Sequence, residues 1–375
     1  MIWTKKLQKN ITDEKALAER FPLSDGEQER VREEIARFPM SIPEYYLSLI
    51  DWTDRQDPIR RMAVPRLDPG REEGLEDTSG ERSNTVCRGV QHKYRQTALI
   101  LVSSDCAMFC RHCFRRRFVG KEKEEIADSP EEAMHYLTEH PEINNCLLSG
   151  GDALIQSNER IREWLDSLSR LEQLDFIRIG SRVPVTFPER ISGDRELIRI
   201  LRGAQRRKQL YLITQFNHPR EFTAEALWAV RLLQRQGIVV KNQTVLLRGV
   251  NDDPGVLGEL LRRVTGAGIV QHYIFQCRPV TGAQNYFQVP LLEGERIVQE
   301  ANRQQNGLGK SAEYVMSHPS GKIAILGRGG DGCMLFQYKQ AKNTELTGTV
   351  FSVSVGKDTC WLKEEEPARE VRQMV

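Results

Sequence analysis

Six short runs of apolar, β-prone residues recur at regular intervals along the middle of the 375-residue chain. Helix-like segments lie between them, which gives a β-α order that repeats roughly every 30 residues. Strands connected in this way lie parallel with right-handed crossovers, and ligand chemistry gathers at their C-terminal ends. Because there are six units rather than the eight of a closed barrel, the pattern predicts the α/β class and a partial (βα)6 TIM-type barrel. The predicted strands are residues 97–102, 145–148, 176–179, 210–213, 238–241 and 272–275, and the predicted helices are 130–139, 158–170, 195–203, 224–236 and 255–267.

The two flanks of this repeat differ from it in composition. Residues 1–83 are predicted to form an N-terminal helical arm followed by a linker rich in Pro, Gly, Asp, Glu and Ser. The partial barrel is predicted to occupy residues 84–282, and a C-terminal extension residues 283–375. The predicted elements of the flanks are helices at 26–38, 44–52 and 295–305, strands at 313–317 and 322–326, and a charged, mobile tail from Lys363.

The charge balance of the chain limits the classes of partner. Lys and Arg number 54 and Asp and Glu 52, a formal net charge of +2, which gives no general reason to expect nucleic acid or an acidic membrane surface. No apolar run approaches the ~20 residues that span a bilayer, and no secretory leader precedes the first helix-like segment. We therefore expect a cytoplasmic protein that acts on a small molecule.

Three of the eight cysteines, Cys106, Cys110 and Cys113, lie in one short loop directly after the first predicted strand. Soft thiolate ligands suit iron-sulfur chemistry, and three of them can hold three irons of a cubane while the fourth iron stays open to a small molecule. The alternative is a zinc knuckle with His112 as the fourth ligand, although zinc sites usually pair C-x-x-C with a distant second pair. The spacing favours a [4Fe-4S] cluster. The other five cysteines have no partner at metal spacing.

The motif C-x-x-x-C-x-x-C, with the aromatic Phe109 before its second cysteine, resembles the radical S-adenosylmethionine (SAM) signature. In that superfamily SAM binds the open iron and is cleaved reductively to a 5′-deoxyadenosyl radical, which abstracts hydrogen. Further stretches are similar to the lysine 2,3-aminomutase family, whose members also use pyridoxal phosphate. The resemblance implies a divergent member with an amino acid substrate, a reductant protein such as flavodoxin or ferredoxin, and a homo-oligomer of unspecified size. The stretches are residues 110–118, 148–154, 177–182, 216–219 and 242–252.

A Gly-Gly-Asp segment, Gly150, Gly151 and Asp152, follows the second predicted strand. Two glycines let the backbone approach a ligand closely, and the carboxylate can receive an ammonium group. The family resemblance places the methionyl amine of SAM here; the alternative is a tight turn in which Asp152 caps a helix. Arg182 and Gln243 resemble the positions that hold the carboxylate and ribose of SAM.

Substrate and coenzyme residues follow from the same resemblance. Lys93 stands where the family has an arginine that binds the coenzyme phosphate, and its alternative role is that of an exposed cation. Arg115 matches the arginine that receives the substrate α-carboxylate, or else forms a basic rim beside the cluster. The family's lysine that forms a Schiff base ends a glycine-rich segment, which is shortened here to 306–310, so Lys310 is the favoured candidate and Lys322 the second. A solvated loop lysine is the alternative for each.

Arg278 departs from the family pattern, because the lysine-specific enzymes carry an aspartate there for the distant ammonium of the substrate. A cation would repel that ammonium, which predicts a neutral or acidic substrate side chain such as that of glutamate, unless Arg278 points outward in a structural ion pair. The family resemblance implies 2,3-amino migration on an amino acid. The alternative is another hydrogen-abstraction reaction on the same scaffold without pyridoxal phosphate.

Overall fold

A computed structural model describes residues 2–67, 73–121 and 124–363. Its described strands form one sheet in which each strand lies beside its neighbours in the sequence. The sheet is open and does not close into a barrel. The strands are β1 (Thr85–Cys87), β2 (Val90–Tyr94), β3 (Thr97–Ser103), β4 (Asn145–Gly150), β5 (Phe176–Gly180), β6 (Gln209–Thr214), β7 (Val239–Leu246), β8 (Val270–Gln276), β9 (Glu313–His318), β10 (Gly321–Arg328), β11 (Cys333–Ala341) and β12 (Val350–Ser354).

The centre of the sheet, from β3 to β9, is parallel. Strands β3 to β8 coincide with the six predicted strands, which confirms the partial barrel. The predicted strand at 313–317 is β9, and it lies directly beside β8 as a further parallel strand. Antiparallel pairs flank the parallel part: β1 and β2 before it, and β10 to β12 after it. The sequence did not predict β1 and β2, because their polar residues give little apolar signal.

Helices separate the parallel strands and cover one face of the sheet. The described α-helices are α1 (Ile2–Leu7), α2 (Glu14–Ala18), α3 (Asp25–Arg37), α4 (Glu44–Leu47), α5 (Pro58–Ala63), α6 (Pro130–Glu139), α7 (Asn158–Ser169), α8 (Val183–Thr186), α9 (Glu189–Ser192), α10 (Arg195–Gln205), α11 (Ala224–Gln234), α12 (Pro254–Gly266), α13 (Gln284–Phe287) and α14 (Leu291–Arg303). None of the described helices is both long and apolar enough to cross a bilayer.

The two faces of the parallel strands are buried to different degrees. Along β4 and β5, Cys146, Leu148 and Ile177 are buried almost completely, and burial of an aliphatic side chain such as Leu148 or Ile177 contributes about 1.5–3 kcal/mol. The alternate residues, such as Ser149 and Arg178, remain partly exposed. These partly exposed positions form the inner face of the partial barrel, where a ligand can enter.

The N-terminal arm shares its core with the barrel. Helix α3 begins and ends one residue before the predicted helix at 26–38, and it starts with a capping box in which Ser24 and Glu27 satisfy each other's backbone N–H groups. Apolar side chains of the arm, including Leu17, Val31 and Tyr46, belong to the same buried cluster as the strands. The arm is therefore packed against the partial barrel.

The C-terminal part contains most of the predicted helix, since α14 begins four residues earlier and ends two residues earlier than predicted. The two predicted strands lie within β9 and β10. Residues 364–375, which make up nearly all of the predicted charged tail, lie outside the described residues.

Candidate functional site

The cysteine loop, residues 106–113, begins just after the carboxyl end of β3. The arm holds its backbone in place: Phe109 N donates to Ser41 O at 3.1 Å, and Arg111 N donates to Met62 O at 2.8 Å. The Asn10 amide adds a bond of 2.9 Å to the carbonyl of Ala107. Main-chain anchoring of this kind fixes the loop without using its cysteines.

The three thiols of the loop are unpaired and share one environment. Burial raises the pKa of Cys113 to about 11, and the neighbouring Cys110 adds to this effect. Burial also raises the pKa of Cys106 well above its ordinary value, with Asp152 and then Cys113 and Cys110 contributing. Such thiols become thiolates only with a strong cation beside them, which an iron-sulfur cluster supplies. The chemistry of the donor set therefore fits a cubane with one open iron.

The zinc alternative finds no support in the arrangement of these side chains. Throughout the described residues, no three His, Cys, Asp or Glu side chains gather around one point as a single ion requires. In a cubane each thiolate binds a different iron, so the sulfurs stand apart. His112, the proposed fourth zinc ligand, is buried with Nε2 3.0 Å from Gln215 Oε1 and 3.3 Å from Asn217 Nδ2. Nε2 is therefore engaged in an amide network, whereas Nδ1 is buried without a hydrogen-bond partner among the described residues.

The glycines of the Gly-Gly-Asp segment serve a packing role that the sequence interpretation did not include. Gly150 has φ +116°, and a Cβ there would lie 2.1 Å from Ser103 O; one on Gly151 would lie 2.3 Å from Asp105 O. Only glycine lets the end of β4 approach the start of the cysteine loop this closely. Gly151 N donates to Ser103 O at 2.6 Å, which joins the two segments.

Asp152 is buried beside the cysteine loop. Its Oδ1 accepts from Leu154 N at 2.9 Å, so this oxygen caps the short helix that follows, as in the alternative interpretation. Its Oδ2 accepts from Arg182 N at 2.7 Å. Burial raises the pKa of Asp152 despite these hydrogen bonds. A carboxylate in this state is stabilised by an arriving ammonium group.

Arg182 connects the cysteine loop with a buried acid. Its Nη1 donates to Cys110 Sγ at 2.8 Å and its Nη2 to Glu221 Oε1 at 2.5 Å. The same Glu221 oxygen accepts from the Tyr46 hydroxyl at 2.6 Å. Sequence reasoning missed Glu221 and Tyr46; the 216–219 stretch of the family resemblance, just before Glu221, was the only nearby signal. The Arg182 side chain is therefore directed toward Cys110 of the cysteine loop.

The structure places the remaining SAM candidates on different surfaces. Gln243 lies on the inner face of β7, with Nε2 3.3 Å from His272 Nδ1. The Phe109 ring packs 6.1 Å from that of Phe38, and a Cβ on Gly120 would lie 2.8 Å from it. Phe109 therefore supports the loop through apolar packing.

Four cations from distant parts of the sequence form what we call the basic cluster: Lys93, Arg115, Arg278 and Lys322. Burial, together with the charges of Arg278 and Lys322, lowers the pKa of Lys93 to about 7. Burial and then Arg115 likewise lower the pKa of Arg278 to about 10. The charge of one cation thus lowers the pKa of a neighbouring one, as expected for side chains that share one buried region of low dielectric.

Glu81 is the buried acid that partly neutralises this cluster. Its Oε1 accepts from Arg115 Nε and Nη2 at 3.0 and 2.8 Å, and its Oε2 accepts from Arg117 Nη2 at 3.0 Å. Although burial favours the neutral carboxyl, Arg115, Arg278 and Arg117 together lower the pKa of Glu81. Sequence reasoning missed Glu81 because it lies in the segment predicted to be a linker.

The other contacts of the basic cluster leave it with an excess of positive charge. Arg115 Nη1 donates to Ser149 Oγ at 2.8 Å, and Arg278 contacts Ser79 and lies 3.8 Å from the Phe114 ring centroid. Arg278 therefore faces the cluster, and the outward ion pair considered from the sequence does not form.

A further cation, Arg178, lies on the inner face beside the basic cluster. In the described part of the chain, its Nε is buried without a hydrogen-bond partner. Carboxylate and phosphate groups fit such a surface.

The two candidate lysines lie near opposite ends of strand β9. Lys310 is exposed, in a short 3₁₀ turn that precedes the amino end of β9, and the structure does not bring it to the basic cluster. Lys322 is at the start of β10 and pairs with Ser317, near the carboxyl end of β9. The second candidate from the sequence, rather than the favoured one, is therefore the lysine beside Lys93 and Arg278.

Comparison with known proteins identifies the family of the chain. The radical SAM superfamily profile matches residues 100–260, so the fold and the cysteine loop define a radical SAM enzyme. A provisionally named L-lysine 2,3-aminomutase of Aquifex aeolicus (strain VF5) is 36% identical over 96% of this chain and 95% of its own. The L-lysine 2,3-aminomutase of Clostridium subterminale is 35% identical over 79% of this chain and 71% of its own. The glutamate 2,3-aminomutase of Clostridioides difficile (strain 630) is 30% identical over 99% and 84%. The chain belongs to the lysine 2,3-aminomutase family of radical SAM enzymes.

Proposed function

We propose that this enzyme catalyses 2,3-amino migration on an amino acid with an acidic side chain, using a 5′-deoxyadenosyl radical derived from SAM. The observation that carries the proposal is the convergence of the basic cluster on the carboxyl edge of the sheet, next to the cysteine loop and Gly150. A [4Fe-4S] cluster, SAM and pyridoxal phosphate supply the electron, the radical and the carbonyl chemistry respectively when they are bound.

The chain's own residues have separable tasks in this proposal. Cys106, Cys110 and Cys113 hold the cluster, and Arg182 fixes Cys110 through its hydrogen bond. The Gly150 to Asp152 segment, Arg182 and Gln243 bind SAM. These groups remain in place before any ligand arrives, because their main-chain and buried side-chain contacts are already made.

Arg115 receives the substrate α-carboxylate. Its guanidinium is held in a fixed plane by Glu81 and Ser149, which orients its N–H groups. Arg278 faces the far end of the substrate, where a cation favours an acidic side chain over a basic one. The glutamate 2,3-aminomutase among the relatives supports this choice of substrate class.

The test is turnover by anaerobically reconstituted enzyme. We expect dithionite, SAM and pyridoxal phosphate to give 5′-deoxyadenosine and the β-amino acid from L-glutamate, with kcat/KM at least about tenfold higher than for L-lysine, a difference of ~1.4 kcal/mol. Failure to form 5′-deoxyadenosine would contradict the radical chemistry, and a preference for lysine would contradict the substrate class.

A second candidate is a hydrogen-abstraction reaction without pyridoxal phosphate. The exposed Lys310 leaves Lys322 as the remaining candidate lysine, so this second reaction follows if Lys322 does not bind the coenzyme either. Omission of pyridoxal phosphate separates the two: amino migration stops without it, whereas the second candidate retains full turnover.

The setting of the reaction is part of the same proposal. We propose a small reductant protein, such as flavodoxin or ferredoxin, as the electron donor, a homo-oligomeric assembly and a cytoplasmic location. Reduction of the cluster by each donor, followed by electron paramagnetic resonance, tests the first of these.

A further inference from the structure

The topology of β9 and β10 separates the two candidate lysines. All parallel strands have their carboxyl ends on the same side of the sheet, and the cysteine loop and Gly150 lie on that side. Lys310 precedes β9 and is therefore on the opposite side. Strand β10 runs antiparallel to β9, so its first residues return from the side that carries the site. Lys322 opposes Ser317 there, and both side chains lie on the same face as Phe275 of β8.

The surroundings of Lys322 are those of a reactive amine. Its Nζ lies 4.5 Å from the ring centroid of Tyr273 and 5.9 Å from that of Phe275. Within residues 2–67, 73–121 and 124–363, Lys322 makes no hydrogen bond or ion pair through Nζ. Burial, followed by the charges of Arg178 and Arg278, lowers its pKa to about 7. The neutral, nucleophilic form is thus well populated near neutral pH.

The turn that carries Lys322 also lies against a phosphate-binding candidate. Lys93 Nζ donates to His318 O at 2.6 Å, and His318 pairs with Gly321, the residue before Lys322. An anionic, aldehyde-bearing ligand whose phosphate bound Lys93 would therefore lie against the turn that carries the Lys322 amine. The excess of positive charge suits a phosphate dianion.

We propose that Lys322, and not Lys310, is the lysine to which pyridoxal phosphate is covalently attached. This inference rests on the proposed function. The neutral Nζ adds to the aldehyde carbon, a C=N bond replaces C=O, and the carbonyl oxygen leaves as water with the two amine hydrogens. No electrons are exchanged with an outside reagent, so the step balances.

The experiment traps that bond in the full-length, cluster-containing enzyme. Pyridoxal phosphate is added anaerobically, borohydride reduces the C=N bond, and peptide mapping by mass spectrometry locates the phosphopyridoxyl group. We expect the group on Lys322 in the wild-type chain and in Lys310→Met, the matched control at the competing position. Lys322→Met should lose at least 90% of the label, a loss of about tenfold or more, with its visible absorbance band.

Lys322→Arg guards against a folding artefact, because it retains the charge but does not form the imine. It should bind iron as the wild type does and still form 5′-deoxyadenosine from SAM without amino migration. A label on Lys310, on another lysine or on none would overturn the assignment. Amino migration with a label on Lys310 would leave the proposed function standing. A label on Lys322 without migration would support the attachment site and contradict the proposed function.

Discussion

The cysteine loop and the basic cluster are assembled in contrasting ways. The loop is one continuous segment whose backbone is held by the arm, through Ser41 and Met62. The basic cluster gathers single residues from β2, from the segment after the cysteine loop, from the end of β8 and from β10, with Glu81 as its buried counter-charge. The loop is therefore positioned by main-chain hydrogen bonds, which substitutions hardly change, whereas the cluster is positioned by side-chain charge and can be retuned by one residue.

The largest effect is expected in the cysteine loop. Cys110→Ala removes a cluster ligand and the acceptor of Arg182, so 5′-deoxyadenosine formation should fall by more than about 1,000-fold, or ~4 kcal/mol. Anaerobic reconstitution, iron and sulfide analysis and product chromatography measure this loss. Cys333→Ala, at the start of β11, is the control and should retain both iron and activity. Wild-type iron content and activity in Cys110→Ala would show that the loop does not hold the cluster.

The next effect tests whether the basic cluster acts separately from the loop. Arg115→Met should lower kcat/KM for amino migration about 100-fold, because a charge-assisted pair with a carboxylate is worth ~2–5 kcal/mol. Cleavage of SAM without substrate should stay within about threefold, or ~0.7 kcal/mol, of the wild type. Glu81 keeps its bond to Arg117 in the variant, which limits the structural cost.

Arg115→Lys sharpens that test, since it keeps the charge and loses the planar fork. An intermediate kcat/KM is expected. An equal loss of SAM cleavage and amino migration in both variants would instead make Arg115 part of the basic rim of the cluster.

A smaller effect is expected on specificity. Arg278→Asp replaces the cation that faces the substrate side chain, so the ratio of kcat/KM for glutamate to that for lysine should fall about 100-fold, or ~2.7 kcal/mol. Competition between the two amino acids, followed by product analysis, gives the ratio directly. Arg278→Gln should lie between the wild type and the reversal. An unchanged ratio in both variants would assign Arg278 a structural role against Ser79 and Phe114.

The contrast between the two regions also explains what the sequence could predict. The six central strands and the cysteine loop follow from local patterns, and the structure contains both. The basic cluster depends on which strand ends meet, so spacing alone does not reveal that Lys93 and Lys322 are neighbours. Local resemblance favoured Lys310, because the shortened segment before β9 resembles the family's glycine-rich one, whereas the antiparallel return of β10 brings Lys322 to the site.

The smallest predicted effect concerns the stability of the basic cluster itself. The pKa of Lys322 is about 7 in the folded enzyme against 10.5 ordinarily, so the unfolded chain binds more protons between these values. Stability should therefore rise with pH across that window, with the full cost of the charge present below pH 7.

Lys322→Met removes that cost and keeps the contacts of the side-chain stem with Tyr273 and Phe275. Because Lys322 is partly exposed, we expect the coenzyme-free variant to be more stable by only about 1–2 kcal/mol at pH 6, and the difference to shrink toward zero by pH 10. Denaturant unfolding at a series of pH values measures it. Lys310→Met, at an exposed position, should follow the wild-type curve. A pH-independent difference for Lys322→Met would mean that its ammonium is well solvated in the fold, and the amine would then lose the reactivity that distinguishes it from Lys310.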